Sequence, residues 1–116
     1  MGAGILPAAM HNNQLYFLFA REAKPGIEGG ESSREWSDFG GSSKKGESKL
    51  RTAIREGWEE SNGILGNMRD IEKLVLTRTV KIINIHSYKT YIVAVPYDRN
   101  LPVNFRKDYE LSLIHI

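Results

Sequence analysis

The stretch GSSKKGESKLRTAIREGWEE, residues 41–60, decides how this chain is interpreted. Its first part is rich in glycine, serine and lysine, which is typical of a loop. From Glu47 onward the apolar residues recur at the spacing of a helix. Steps of about 100° per residue gather the small and apolar residues on one side, namely Leu50, Ala53, Ile54, Gly57 and Ser61. A loop followed by an amphipathic helix is therefore predicted, with that side packed on a core.

The opposite side of this helix collects Thr52 and three carboxylates, those of Glu56, Glu59 and Glu60. Neighbouring carboxylates raise each other's pKa, and negative charge is unfavourable near a helix C-terminus. A solvated surface tolerates such a cluster, and a divalent cation would use it. Oxygen-only ligands favour magnesium or manganese. The residues alone therefore leave two interpretations open: a solvated acidic surface, or a metal site for attack of water on a phosphoanhydride.

The complete pattern is Gly41-x5-Glu47-x7-Arg55-Glu56-x2-Glu59-Glu60. It resembles the box of the Nudix hydrolase family, G-x5-E-x7-R-E-U-x-E-E-x-G-U, in which U is apolar. Six fixed matches would occur by chance in fewer than roughly one in ten thousand chains of average composition. The chain departs from the pattern at Gly57, which stands at an apolar position, and at Asn62, which is an additional residue. The surrounding sequence also resembles Nudix proteins of large DNA viruses and marine metagenomes.

The resemblance implies an α/β fold, specifically an α/β/α sandwich with a mixed sheet. It also implies metal-dependent hydrolysis of a phosphoanhydride bond in a nucleoside diphosphate linked to another group. Magnesium or manganese would be the cofactor. The implied metal ligands are the side chains of Glu56, Glu59 and Glu60 and the backbone carbonyl of Gly40.

The implied catalytic residues are Glu47, Arg55, Glu56 and Glu60. Arg55 would pair with a carboxylate and hold its rotamer, with Glu47 in a similar supporting role. Either Glu56 or Glu60 would deprotonate the attacking water. Some family members take this base from a later loop, for which Glu110 is a weak candidate here.

The substrate would be a small nucleotide or dinucleotide. Capped RNA is allowed but less favoured, because the net charge is only +2 and the chain has no continuous basic stripe. Two other functions stay open: a non-catalytic Nudix-like nucleotide-binding module, and a structural domain with a solvated acidic helix. Non-catalytic modules usually lose box carboxylates, whereas this chain keeps them all.

The other segments predict strands around this helix. Two strands separated by a turn at 11–13 form a hairpin, and the second, 15–20, is apolar enough for burial on both faces. A loop at 22–35, where substrate selectivity would reside, precedes a short strand at 36–39. Further strands are predicted at 74–85 and 88–95. Three aromatic residues are expected in the core: Trp36, Phe39 and Trp58.

Length and composition limit the class of protein. The 116 residues allow one domain, and the chain contains no cysteine, which excludes disulfides and thiolate chemistry. It has no apolar run of the ~20 residues that a membrane span requires, and we expect a cytoplasmic enzyme. The last residues, LSLIHI, match a translated transposon end used in sequencing libraries. We therefore expect one domain over 1–110, a non-native tail at 111–116 and a sandwich lacking its C-terminal helix.

Overall fold

A computed structural model describes residues 1–22, 36–98 and 109–115. These ranges form a six-stranded mixed sheet and two helices, an α/β fold as predicted. The strands are β1 (Gly2–His11), β2 (Gln14–Glu22), β3 (Phe39–Ser42), β4 (Thr79–Ile85), β5 (Tyr88–Ala94) and β6 (Tyr109–His115). The helices are α1 (Lys49–Ser61) and α2 (Met68–Arg78). The strand order is β4-β5-β1-β2-β6, and β3 pairs with the first part of β1. Only β1 and β5 are parallel among the described pairs.

The predicted hairpin is confirmed as β1 and β2, joined at Asn12 and Asn13. Both asparagines have a positive φ, as a two-residue hairpin turn requires. The prediction that the second strand is buried on both faces is wrong. Leu18 is buried, whereas Leu15 is 38% exposed. Phe17 and Phe19, on the same face as Leu15, are half-buried, so this face of β2 is covered less than the face of Leu18 and Ala20.

Helix α1 is confirmed, although it begins at Lys49 and not at Glu47. The Ser48 side chain accepts a hydrogen bond from Arg51 N, and Asn62 ends the helix in the left-handed conformation. Its apolar side packs on β1 through Ala53, Ile54 and neighbouring residues. A Cβ at Gly57 would lie 2.7 Å from Ile5 Cδ1. Glycine at this apolar position of the pattern therefore lets α1 approach the sheet closely.

Helix α2 was not predicted, because residues 74–85 were assigned to a strand. The first part of that segment completes α2, and β4 starts only at Thr79. The signal was present in the sequence. Asn67 and Asp70 form a capping box, and Ile71 and Val75 are buried at helical spacing. The β-branched residues that follow Leu74 favour a strand, which is why the sequence did not predict this helix.

The short strand before the glycine-rich loop lies later than predicted. Residues 36–39 contribute an isolated bridge between Ser37 and Ala20, and β3 itself continues through the two glycines to Ser42. Phe39 is fully buried in the core, as expected. The same expectation is wrong for Trp36 and Trp58, which are 36% and 41% exposed.

The last strand occupies one edge of the sheet. β6 pairs antiparallel with β2, from Tyr109 opposite Glu22 to His115 opposite Tyr16. This pairing includes most of segment 111–116, whose non-native origin stays a prediction, as does the single domain over 1–110.

Both described helices precede β4, and neither is long and apolar enough to cross a membrane. Nearly all of the predicted selectivity loop, 23–35, lies outside the described residues.

Candidate functional site

The guanidinium of Arg55 connects the carboxylates of the pattern. Its Nε donates to Glu47 Oε2 at 2.8 Å, and its Nη2 donates to Glu47 Oε1 at 3.0 Å. Nη1 donates to Glu56 Oε1 at 2.7 Å and to Glu59 Oε2 at 3.2 Å. The Arg55 side chain is only 15% exposed. The sequence pattern thus brings three carboxylates onto one largely buried guanidinium.

Glu47 is held by more than Arg55. Its Oε1 also accepts from the backbone N–H of Lys44 at 3.0 Å. Thr52 Oγ1 lies within hydrogen-bonding distance of Glu47 Oε1 (2.8 Å), Ser43 Oγ (2.7 Å) and Ser48 O (2.9 Å). Arg55, followed by the Lys44 N–H, lowers the pKa of the Glu47 carboxyl well below its usual range. Glu47 therefore ties the loop before α1 to the helix.

Thr52 corrects the simple picture of two helix sides. Sequence reasoning placed it with the carboxylates on a side away from the core, but its exposure is 0%. Glu56, on the same side, is also buried. Both sides of α1 are thus covered near its middle, one by β1 and the other by β3 and the loop that follows it. The Thr52 hydroxyl reaches the backbone of the preceding turn, at Ser48 O, as helical threonines commonly do.

Gly41, the first residue of the pattern, lies against the carboxylate of Glu56. A Cβ at Gly41 would be 2.5 Å from Glu56 Oε2 and 2.6 Å from Glu56 Cδ. Any larger residue would push this carboxylate away from β3. The glycine therefore sets the position of Glu56 relative to the strand.

The carbonyl of Gly40 points away from β1. Ser43 N donates to Met1 O at 3.0 Å, and the register pairs Ala3 with Gly41 and Gly4 with Gly40. Hydrogen-bonded and non-hydrogen-bonded pairs alternate along antiparallel strands, so Gly40 belongs to a non-hydrogen-bonded pair. Its carbonyl is consequently directed to the outer edge of β3. The next carbonyl on that edge, from Ser42, accepts from Arg55 Nη2 at 3.0 Å.

The predicted metal ligands are close in sequence but are not assembled. Within the described residues, no group of three or more acidic or histidine side chains is arranged to hold a metal ion. Arg55 draws Glu56 and Glu59 to its own Nη1. The donors themselves fit a hard cation, because each is a carboxylate or a carbonyl oxygen. The Glu59 side chain is 43% exposed and can leave Arg55 at little cost.

One polar cluster near the site was missed by sequence reasoning. Tyr88 Oη donates to Asp38, at 2.9 Å from Oδ1 and 3.0 Å from Oδ2, and Thr90 Oγ1 lies 3.3 Å from Oδ2. Burial raises the pKa of Asp38, although both hydroxyl donors oppose this. Burial, followed by the Asp38 charge, raises the pKa of Tyr88. The remaining late candidate, Glu110, lies in β6, whose side chains are outside the described part of the structure.

Solved structures of similar shape include two structures of Ap4A hydrolases and one of a Nudix hydrolase. C. elegans Ap4A hydrolase is 18% identical, with a TM-score of 0.54 over 97% of this chain and 78% of that chain. A binary complex of a C. elegans Ap4A hydrolase gives 17% identity, a TM-score of 0.54 and coverage of 100% and 75%. RenU, a Nudix hydrolase from M. smegmatis, is 16% identical, with a TM-score of 0.53 over 98% of this chain and 69% of that chain. No protein-family sequence model and no curated protein sequence matches the chain. The likeness establishes the fold, which is that of the Nudix hydrolases.

Proposed function

We propose that this protein is a metal-dependent hydrolase of the phosphoanhydride bond in a nucleoside diphosphate linked to another group. The observation that carries the proposal is the convergence on Arg55. Glu47, Glu56 and Glu59 are spaced along 13 positions of the sequence, yet all three accept hydrogen bonds from this one guanidinium. A merely solvated acidic helix has no need of such a network. The Nudix fold and the matching pattern support the same conclusion.

In this proposal Glu56, Glu59, Glu60 and the outward carbonyl of Gly40 hold magnesium or manganese. The bound cation would polarise a phosphoryl oxygen and lower the pKa of an attacking water. Glu56 is already held against Gly41, so only the more exposed carboxylates have to move. Arg55 and Glu47 are positioning residues, since they fix the carboxylates from behind.

We assign the general base to Glu60. Glu56 Oε1 accepts from Arg55 Nη1 at 2.7 Å, so a proton taken up by Glu56 would disrupt that ion pair. Glu60 lies on the last turn of α1, on the side predicted to carry the ligands. A base must reach the proton that it removes, directly or through one water. Glu60 meets this condition if the cation and its water lie beside the ligand set.

The favoured substrate class is a dinucleoside polyphosphate or another small nucleotide. Two of the similar structures are Ap4A hydrolases, which supports a substrate with a long phosphate chain. Capped RNA is less favoured because the chain is only weakly basic. The competing function is a nucleotide-binding module without catalysis.

Turnover separates the two functions. The protein would be incubated with Ap4A, nucleoside triphosphates, sugar nucleotides and capped RNA, while magnesium or manganese is titrated and the products are identified. We expect cleavage of at least one diphosphate compound, activated by the cation and abolished by EDTA. The control variant Glu72→Gln should keep the turnover of the parent, because Glu72 pairs with Arg51 and not with the Arg55 network. Binding of nucleotides without cleavage of any of them would establish the module instead.

A further inference from the structure

Tyr88 lies across a row of glycines on the sheet face opposite α1. β5 runs beside β1, with Tyr88 opposite Gly2 and Thr90 opposite Gly4. A Cβ at Gly2 would be 3.2 Å from Tyr88 Cδ2, and a Cβ at Gly4 would be 2.7 Å from Tyr88 Oη. A Cβ at Gly40 would overlap Tyr88 Oη. The ring therefore extends from Gly2 across to Gly40, and its hydroxyl sits directly on the Gly40 backbone.

Asp38 holds the hydroxyl in this position. Its two carboxylate oxygens lie 2.9 and 3.0 Å from Tyr88 Oη. Asp38 is two residues before Gly40, so this contact joins β5 to the segment that leads into β3. A hydrogen bond to a charged acceptor is stronger than one between neutral groups. The ring and the hydrogen bond together restrain the backbone at Gly40.

The neighbouring glycine is restrained from the other face. Consecutive residues of a strand face opposite sides, and Gly41 meets the Glu56 carboxylate on the side of α1. The Gly40-Gly41 backbone is thus enclosed between the Tyr88 hydroxyl and the Glu56 carboxylate. Glycine has more backbone freedom than any other residue. A pair of glycines at a metal site needs such restraint if a backbone carbonyl is to keep its direction.

We propose that Tyr88 is a positioning residue of the active site, which clamps Gly40 from the face opposite Glu56 and so fixes the direction of the Gly40 carbonyl. The inference rests on the proposed function in one respect, the use of that carbonyl as a cation ligand. Tyr88 does not touch the cation or the substrate in this scheme. Its effect is transmitted through the Gly40 backbone.

The test is Mn²⁺ binding without substrate, measured by electron paramagnetic resonance or calorimetry, beside thermal melts. Tyr88→Phe keeps the ring and removes the hydroxyl. We expect about tenfold weaker Mn²⁺ binding, the scale of losing a partner that orients a ligand. Thr90→Val is the matched control: it removes the other hydroxyl near Asp38, and no atom of Thr90 is among the three that lie nearest to a Cβ at Gly40. Thr90→Val should bind Mn²⁺ as the parent does.

Asp38 offers a second route that leaves the tyrosine in place. Asp38→Asn keeps an acceptor for the hydroxyl and should bind Mn²⁺ nearly as the parent, whereas Asp38→Leu should resemble Tyr88→Phe. In steady-state assays, Tyr88→Phe should raise the metal concentration for half-maximal rate more than the substrate KM at saturating metal.

The outcomes separate this inference from the proposed function. The inference is overturned if the parent binds no Mn²⁺, if Tyr88→Phe binds it within twofold of the parent, or if Thr90→Val weakens binding equally. A parent that binds Mn²⁺ but cleaves no diphosphate refutes the proposed function alone. The binding comparison among the variants then still supports or overturns the clamp.

Discussion

Two glutamates of the same pattern have contrasting surroundings. Glu47, the first glutamate, is 15% exposed and accepts hydrogen bonds from Arg55, the Lys44 N–H and the Thr52 hydroxyl. Glu59, near the end, is 43% exposed and contacts Arg55 Nη1 at 3.2 Å. The comparison teaches that the first half of the pattern holds the site together, whereas the second half offers carboxylates to a ligand. Substitutions in the first half should therefore affect stability, and those in the second half activity.

The largest expected effect is on catalysis and comes from the second half. Glu60→Gln keeps the shape of the side chain but removes a charge and a proton acceptor. Loss of an orienting partner alone costs about 10–100-fold in activity, so loss of a ligand and base should lower the rate by at least about 100-fold. Stability should hold or rise slightly because repulsion between carboxylates falls. Cation-dependent product release and a thermal melt measure both effects. Near-parental turnover in Glu60→Gln would refute the role of this residue.

The next effect is on stability and comes from the first half. Glu47→Gln should lower the melting temperature at neutral pH, because Arg55 loses its charged two-point partner. The folded state lowers the pKa of Glu47 from 4.5, so its contribution is fully present above about pH 4.5 and is lost as pH falls toward the folded pKa. The melting difference between parent and variant should therefore shrink from pH 7 to pH 3. An equal difference at both pH values would show that the charge of Glu47 is not responsible.

Part of this contrast between the two halves of the pattern could be predicted from the sequence. The resemblance implied that Arg55 pairs with a carboxylate and that Glu47 supports the site, and one guanidinium does join Glu47 and Glu56. The hairpin was predicted from its turn residues and α1 from the spacing of its apolar residues, and both signals are local. Helix α2 was missed because β-branched residues outweighed its capping box. The Tyr88–Asp38 contact joins residues 50 positions apart, and only the strand register brings them together.

A smaller loss of stability is expected at Thr52, whose hydroxyl is enclosed between the loop and α1. Thr52→Val keeps the shape and removes the hydroxyl, at a cost of about 1–2 kcal/mol in the free energy of unfolding. Catalysis should change much less than in Glu60→Gln. Thr77→Val is the control, because the Thr77 hydroxyl also donates to a carbonyl four residues earlier but is exposed. Denaturant unfolding of both variants would compare the sites. Equal costs would mean that burial of Thr52 adds nothing.

The smallest expected change in stability is at Glu59. Its ion pair with Arg55 spans 3.2 Å and its own side chain is 43% exposed, so water screens the pair and we expect a contribution of about 0–1 kcal/mol. Glu59→Gln should therefore unfold within about 0.5 kcal/mol of the parent. Its rate should nevertheless fall, because the proposed ligand set loses one carboxylate and magnesium tolerates poor coordination badly. Unfolding curves beside a magnesium titration of the rate measure this contrast. A destabilised Glu59→Gln with unchanged metal dependence would place Glu59 with Glu47 among the residues that build the site, and the division drawn between the two halves of the pattern would be wrong.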